Sequence, residues 1–157
     1  MNRLLDFNHP LTNVELEELC RLGRINLIGV FMKDEVPSKL VDGCYIVNLE
    51  SKNEDGSHWC CFIKYKNTVY WADPFGQPPP QYPSNVFKKN KLKCLYCTDQ
   101  VQSIDSILCG YYCIGFFIYV LNKNIITKWN KLFNKDIENN DVILKKYIME
   151  YYNNIHK

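Results

Sequence analysis

Four side chains of complementary chemistry lie in order along this chain. They are His58 in Gly56-Ser57-His58-Trp59, Asp73 at the head of Asp73-Pro74-Phe75-Gly76, Gln102, and Cys109 followed by Gly110. Together they offer an imidazole base, a carboxylate to orient it, an amide donor and a thiol. Nucleophilic hydrolysis of an acyl bond needs those four groups and little else. No other combination in the 157 residues comes close to a complete reaction centre. Taken singly, each residue is ordinary. A lone histidine is most often a satisfied core or surface residue, Asp before Pro commonly starts a turn, and Gln100 competes with Gln102. His58 stands out because the chain has only three histidines, and His9 and His156 lie near its ends. The ordered conjunction carries the reading.

The elements that must position these groups follow from local pattern. His58–Tyr65 and Thr68–Ala72 read as strands separated by Lys66-Asn67, a two-residue hairpin turn. In that register, residues whose numbers sum to 133 face each other, so Asp73 opposes Cys60 and His58 opposes Phe75. His58 and Asp73 become diagonal neighbours on one face, within about 7–8 Å at the backbone. A carboxylate accepting from one imidazole nitrogen fixes the tautomer and leaves the other nitrogen as base. Cys109 arrives at the start of the apolar run Gly110–Asn122, which reads as a buried helix with Asp105 or Ser106 as its cap. A thiol at a helix N-terminus beside an imidazolium is expected to be a low-pKa nucleophile. Gly110 would let the backbone approach a substrate closely. Gln102 would turn its amide toward the same point and complete an oxyanion hole with the Cys109 N–H. These are the parts of a cysteine endopeptidase.

Around them, Thr12-Asn13-Val14-Glu15 is a capping box, and Leu16, Leu19 and Cys20 follow at helical spacing, so a helix is expected over 12–22 with Gly23 ending it. Ile25–Phe31, Cys44–Leu49 and Lys93–Cys97 read as further strands. Gln77–Pro83 carries four prolines and reads as an irregular surface loop. Asp136–Tyr152 places Val142, Ile143, Tyr147, Ile148 and Tyr151 at helical spacing and reads as an amphipathic closing helix. The sum is an α+β fold, a mixed central sheet packed against a buried helix that carries the nucleophile at its N-terminus. No linker divides the chain, and 1–157 is expected to be one domain.

Composition narrows the classes. Hydrophobic residues make up 46% and charged residues 23%, with a net charge of +2 and a pI near 8.1. The longest apolar stretch, Ile107–Leu121, has 15 residues, short of the roughly 20 a membrane span needs. With no signal-like start, a soluble intracellular monomer is expected, and the eight cysteines are expected to be thiols. Lys88, Lys89, Lys91 and Lys93 crowd together; any nucleic-acid contact through them would be weak, non-specific and salt-sensitive, and a solvated loop is the plainer reading.

The order His-Trp, Asp-Pro-Phe-Gly, Gln and, seven residues on, Cys-Gly resembles the adenovirus-type maturation endopeptidases, whose core fold is shared with the SUMO-specific proteases and is papain-like. The resemblance covers about Thr12–Leu121, including Ile28-Gly29-Val30-Phe31 and Cys44-Tyr45-Ile46-Val47-Asn48, and leaves the C-terminal part unmatched. It implies His58 as general base, Asp73 as its orienting partner, Gln102 as oxyanion donor and Cys109 as nucleophile. Trp59 and Gly110 would line a narrow groove, so Gly-containing sites in viral capsid or core precursors are the implied substrates. The implied setting is the host-cell cytoplasm or viral factory, with packaging in the virion of a virophage-like agent. Asp73 stands where the family usually has Glu. Adenoviral enzymes also take a disulfide-linked peptide activator and DNA; Cys94 and Cys97 lie in that region at the wrong interval, so no cofactor is expected.

Three rival readings compete with this one. Cys94-x-x-Cys97 with Cys109-x₃-Cys113 could form a four-thiolate zinc site, but Cys113 reads as a core residue, so no metal is expected. Cys60 and Cys61 alternate on a strand, one expected to be buried and one to face the site, and Cys20 and Cys44 read as small core residues. A deconjugating isopeptidase for ubiquitin-like tails would use the same groove. A non-catalytic binding module has no physical reason to keep all four groups.

Overall fold

The computed structural model describes residues 5–51 and 58–157; Gly56 and Ser57, singled out before His58, lie outside the described residues. Helix α1, Asn13–Leu22, starts where the capping box places it. The Glu15 N–H donates to Thr12 Oγ1 at 3.2 Å and the Thr12 N–H to Glu15 Oε1 at 3.0 Å, so two orphan donors are satisfied reciprocally. Gly23 ends the helix with a negative φ; the left-handed residue is Arg24, at φ 58°.

Among the described residues, five strands form one mixed sheet in sequence order. They are β1 (Leu27–Met32), β2 (Gly43–Asn48), β3 (Trp59–Tyr65), β4 (Thr68–Ala72) and β5 (Lys93–Tyr96). β1 runs parallel to β2 and β4 to β5, while β3 is antiparallel to both of its neighbours. The hairpin register is the one read from Lys66-Asn67: Tyr65 faces Thr68, Phe62 faces Trp71 and Cys61 faces Ala72. Lys66 takes the left-handed conformation at φ 54°.

The sheet is covered on both faces, and β3 alternates between them. Cys61 and Ile63 join α1, α3 (Cys109–Leu121) and α4 (Asn140–Ile155) in one core. Cys60 and Phe62 join Tyr45, Val47, Val69 and Trp71 against Val86 and Phe87 of α2 (Gln81–Lys89) in the other. A strand buried on both faces reads as a continuous apolar run, which is the pattern of Trp59-Cys60-Cys61-Phe62-Ile63. Helix α3 lies in the larger core with ten of its residues buried, Cys109 through Ile118. Among the described residues, no helix is long and apolar enough to cross a membrane.

Two expectations are corrected. The loop expected over 77–83 gives way to α2 at Gln81, because Pro83 sits in the first turn, where its missing N–H is no loss. Its buried face is Pro83, Val86 and Phe87, and Lys88 and Lys89 occupy its last turn rather than a loop, where the helix dipole favours cations. The closing helix starts at Asn140, after a 3₁₀ turn at Ile137–Asn139, and its fully buried face is Asn140, Leu144, Ile148 and Tyr152. Apolar residues occur on several sides of this helix, so periodicity alone misplaced the face; Val142 is 65% exposed. A second 3₁₀ segment, Ile126–Leu132, buries Trp129 beside α3. A Cβ at Gly115 would stand 2.8 Å from Leu144 Cδ1 and 3.1 Å from Trp129, so α3, α4 and the 3₁₀ segment meet at a glycine.

Leu144→Ala is therefore expected to cost about 2–5 kcal/mol of stability, and Val142→Ala to stay within about 0.5 kcal/mol of wild type. Denaturant titration of both variants checks the face of α4; comparable losses would contradict it.

Candidate active site

The pairing of β2 with β3 continues one residue beyond its ladder toward the site. The Leu49 N–H donates to the His58 carbonyl at 2.9 Å, holding the His58 backbone at the mouth of β3. His58 Nε2 donates to Asp73 Oδ1 at 2.8 Å, with the side chains 12% and 2% exposed. Phe75, which the register sets opposite His58, stacks on its ring at 4.3 Å between centroids. With Nε2 committed to the carboxylate, Nδ1 is the nitrogen left for Cys109, whose side chain lies near enough to act on the imidazole electrostatically.

Cys109 is the first residue of α3 and only 7% exposed. The Trp59 backbone N–H donates to its sulfur at 3.4 Å, a contact that residue types alone do not announce. Neither expected cap is used: the N-cap position is Leu108, with no side-chain cap. Ser106 Oγ instead accepts the Leu108 N–H at 3.2 Å and donates to Asp141 Oδ1 at 2.9 Å. Burial pushes the His58 imidazole down, but the Asp73 hydrogen bond and the Cys109 contact outweigh it and raise its pKa from 6.5 to about 9. The imidazolium is thus the favoured form beside the sulfur at neutral pH.

Gln102 is buried at 1% exposure in the segment leading to Cys109. One of its amide hydrogens reaches the Ser106 carbonyl at 3.1 Å, and among the described residues the second N–H of that amide has no partner. The competing Gln100 is exposed, and its amide donates to the Gln102 carbonyl at 2.9 Å. It supports Gln102 rather than replacing it.

Each residue of Asp73-Pro74-Phe75-Gly76 has a task. Asp73 Oδ1 accepts the Phe75 N–H at 2.8 Å as well as His58. The Pro74 carbonyl accepts the N–H groups of Val101 and Gln102 at 2.9 and 3.0 Å. Phe75 stacks on the base. Gly76 closes the turn with its N–H on the Asp73 carbonyl at 2.8 Å and φ 77°, and a Cβ there would fall 2.6 Å from the Thr98 carbonyl oxygen. The turn that presents the carboxylate thereby also carries the Gln102 segment.

The remaining expectations resolve individually. Trp59 is half-buried beside the site and donates Nε1–H to the Leu11 carbonyl at 2.9 Å. Gly110 faces Leu11 and Leu16, where a Cβ would stand 3.2 Å from each, so its missing side chain serves the packing of α3 on α1. Cys60 and Cys61 are both buried, and Cys60 is the one turned toward the site, its sulfur within 4.8 Å of the His58 and Asp73 donor atoms. Burial pushes the Cys20, Cys44, Cys60, Cys61, Cys94, Cys97 and Cys113 thiols up, which makes them poor nucleophiles. The four-thiolate zinc arrangement does not form. Among the described residues, the one group of three or more His, Cys, Asp or Glu side chains within mutual ligand reach is His58, Cys60 and Asp73, with donor atoms within 4.8 Å of one another.

No protein-family model matches the chain, and no curated protein sequence matches it. Solved structures do. The crystal structure of ASFV pS273R protease superposes with a TM-score of 0.60, covering 89% of this chain and 66% of its own length at 14% identity. The chain has the fold of that viral protease. A selenomethionine form of the same protease gives a TM-score of 0.49 over 67% of this chain and 42% of its own, at 16% identity. SUMO protease Ulp1, with its catalytic cysteine oxidised to a sulfinic acid, gives 0.40 over 69% and 54%, at 14% identity. The chain spans less than two thirds of the length of each of these neighbours.

The His58 imidazole is expected to titrate by NMR with a midpoint of about 9, and Asp73→Asn to bring that midpoint down toward 6.5. Because the folded value exceeds the unfolded one, the His58 contribution to stability is full below about pH 6.5 and is lost as pH rises through about 9. A wild-type midpoint at or below 6.5 would contradict the pairing.

Proposed function

We propose that the chain is a cysteine endopeptidase. The observation that carries the reading is a buried carboxylate on one imidazole nitrogen with a sulfur beside the same strand end: Asp73 holds His58 Nε2 at 2.8 Å, and Cys109, at the start of α3, accepts the N–H of the adjoining Trp59 at 3.4 Å and helps raise the imidazole's pKa. In this reading Cys109 attacks the scissile carbonyl as thiolate, and Asp73 keeps the ring in one tautomer. The oxyanion forms against the free Gln102 amide hydrogen and the Cys109 backbone N–H. The His58 imidazolium then gives its proton to the leaving amine, producing a thioester. Water, deprotonated by the same imidazole, releases the acid and restores the thiol.

The finer reading is an adenovirus-type maturation enzyme acting in the host cytoplasm or viral factory, as a monomer packaged in the virion. It rests on the ordered motifs and on a fold similar to that of a viral protease. Trp59, tied to Leu11 and half-buried beside the sulfur, suits a narrow groove, and hence Gly-containing sites in capsid or core precursors. Lys88, Lys89, Lys91 and Lys93, at the end of α2 and the start of β5, would add weak, salt-sensitive contact with nucleic acid.

The test is cleavage of a candidate capsid precursor, with mass analysis of the fragments. Cys109→Ala is expected to abolish cleavage with the fold intact, His58→Ala to cost nearly as much, and Asp73→Ala less. Gln102→Ala is expected to lower kcat by roughly 10²–10³ with little change in KM. Near-wild-type cleavage by Cys109→Ala would end the assignment. Labelling of Cys109 by a ubiquitin-like vinyl sulfone, without precursor cleavage, would move it to a deconjugating isopeptidase.

A further inference from the structure

We infer that the N-terminal turn of α4 positions the oxyanion-forming segment, with Asp141 as the positioning residue and Asn140 its support. The segment from Val101 to Leu108 contains Gln102 and leads to the nucleophile; Val101 and Leu108 bury its two ends in the core, yet its middle is poorly anchored by apolar contact, Ile104 being 82% exposed and Ile107 44%. Polar bonds hold it instead. Asp141 Oδ1 accepts two hydroxyls, Ser106 Oγ–H and Tyr112 O–H, each at 2.9 Å. Ser106 is the junction. Its carbonyl takes the Gln102 amide at 3.1 Å, and its Oγ takes the Leu108 N–H at 3.2 Å immediately before Cys109. One serine thus holds the amide donor through its carbonyl and the entry to α3 through its hydroxyl, and Asp141 fixes that hydroxyl and with it the Ser106 backbone.

Asn140 acts one residue earlier on the same segment. It is fully buried, and its Nδ2 donates to the Val101 carbonyl at 2.8 Å and the Asn134 carbonyl at 3.1 Å, while its Oδ1 accepts the Asn134 N–H at 2.9 Å. The peptide preceding Gln102 is therefore held by Pro74 through its N–H and by Asn140 through its carbonyl. An apolar residue would fill the space, but only a side chain that both donates and accepts can satisfy these three groups. The C-terminal helix, outside the part of the chain where motifs are found, is in this way a component of the site.

This rests on the proposed endopeptidase reading, and the experiment separates the two. Steady-state kinetics on a fluorogenic peptidyl coumarin amide ending in Gly-Gly are measured for wild type, Cys109→Ala, Gln102→Ala, Asp141→Ala, Asp141→Asn and the Gln102→Ala/Asp141→Ala pair. Asp141→Ala is expected to lower kcat about 10-fold with KM nearly unchanged, and Asp141→Asn, which keeps the Oδ1 acceptor, to recover to within about threefold of wild type. In the Gln102→Ala background the Asp141→Ala loss should shrink to less than about twofold, because the group being positioned is gone. An unchanged kcat in Asp141→Ala, equal losses in Asp141→Ala and Asp141→Asn, or a full loss persisting without Gln102 would each overturn the positioning role. Unaltered turnover in Cys109→Ala or Gln102→Ala would instead overturn the reaction itself, and the positioning role with it.

Discussion

The carbonyl oxygen of Pro74 joins the two halves of this site. By accepting from both Val101 and Gln102, it ties the turn that presents Asp73 to the segment that leads into Cys109. Without that junction, the hairpin would still pair His58 with Asp73, and α3 would still carry a cysteine at its start, but nothing local would bring the pair and the amide donor into register. Two hydrogen bonds to one oxygen in a buried setting are geometrically demanding. The proline contributes a fixed φ and needs no partner for an N–H of its own, and the glycine two residues later allows the turn to pass against the Thr98 backbone.

The electrostatics follow from the same arrangement. A carboxylate at 2% side-chain exposure would be costly alone. It is satisfied by the His58 N–H and the Phe75 backbone N–H, both on Oδ1. The imidazole, stacked on Phe75 and shielded from water, gains more from its two partners than it loses by burial, which explains the upward displacement of its pKa. Central placement also matters: the strand delivering His58 and the Trp59 N–H to the sulfur is covered on both faces.

Much of this was legible in the sequence. The capping box announced α1, and the two-residue turn at Lys66-Asn67 sufficed to place His58 beside Asp73, because a hairpin register is set by its turn and propagates by twos. The length and uninterrupted apolarity of Gly110–Asn122 identified the buried helix. Where reading failed, the cause was a weak or ambiguous local signal. Prolines concealed α2, whose buried face is only three residues long. In α4, tyrosines and isoleucines on several sides blurred the period, and a buried asparagine belonged to the inner face.

What the sequence determined on its own is the inventory of reacting groups and each relation that spans a turn or a few residues, since backbone geometry alone transmits those. Only the tertiary structure decided that Ser106 turns away from capping α3 and toward Asp141, that Gly110 is small for the sake of Leu11 and Leu16, and that Asn140 grips Val101 from 39 positions away. Such contacts join residues that follow no pattern along the chain. They leave no periodicity to read, and they form only once packing has excluded the water that would otherwise satisfy the same groups.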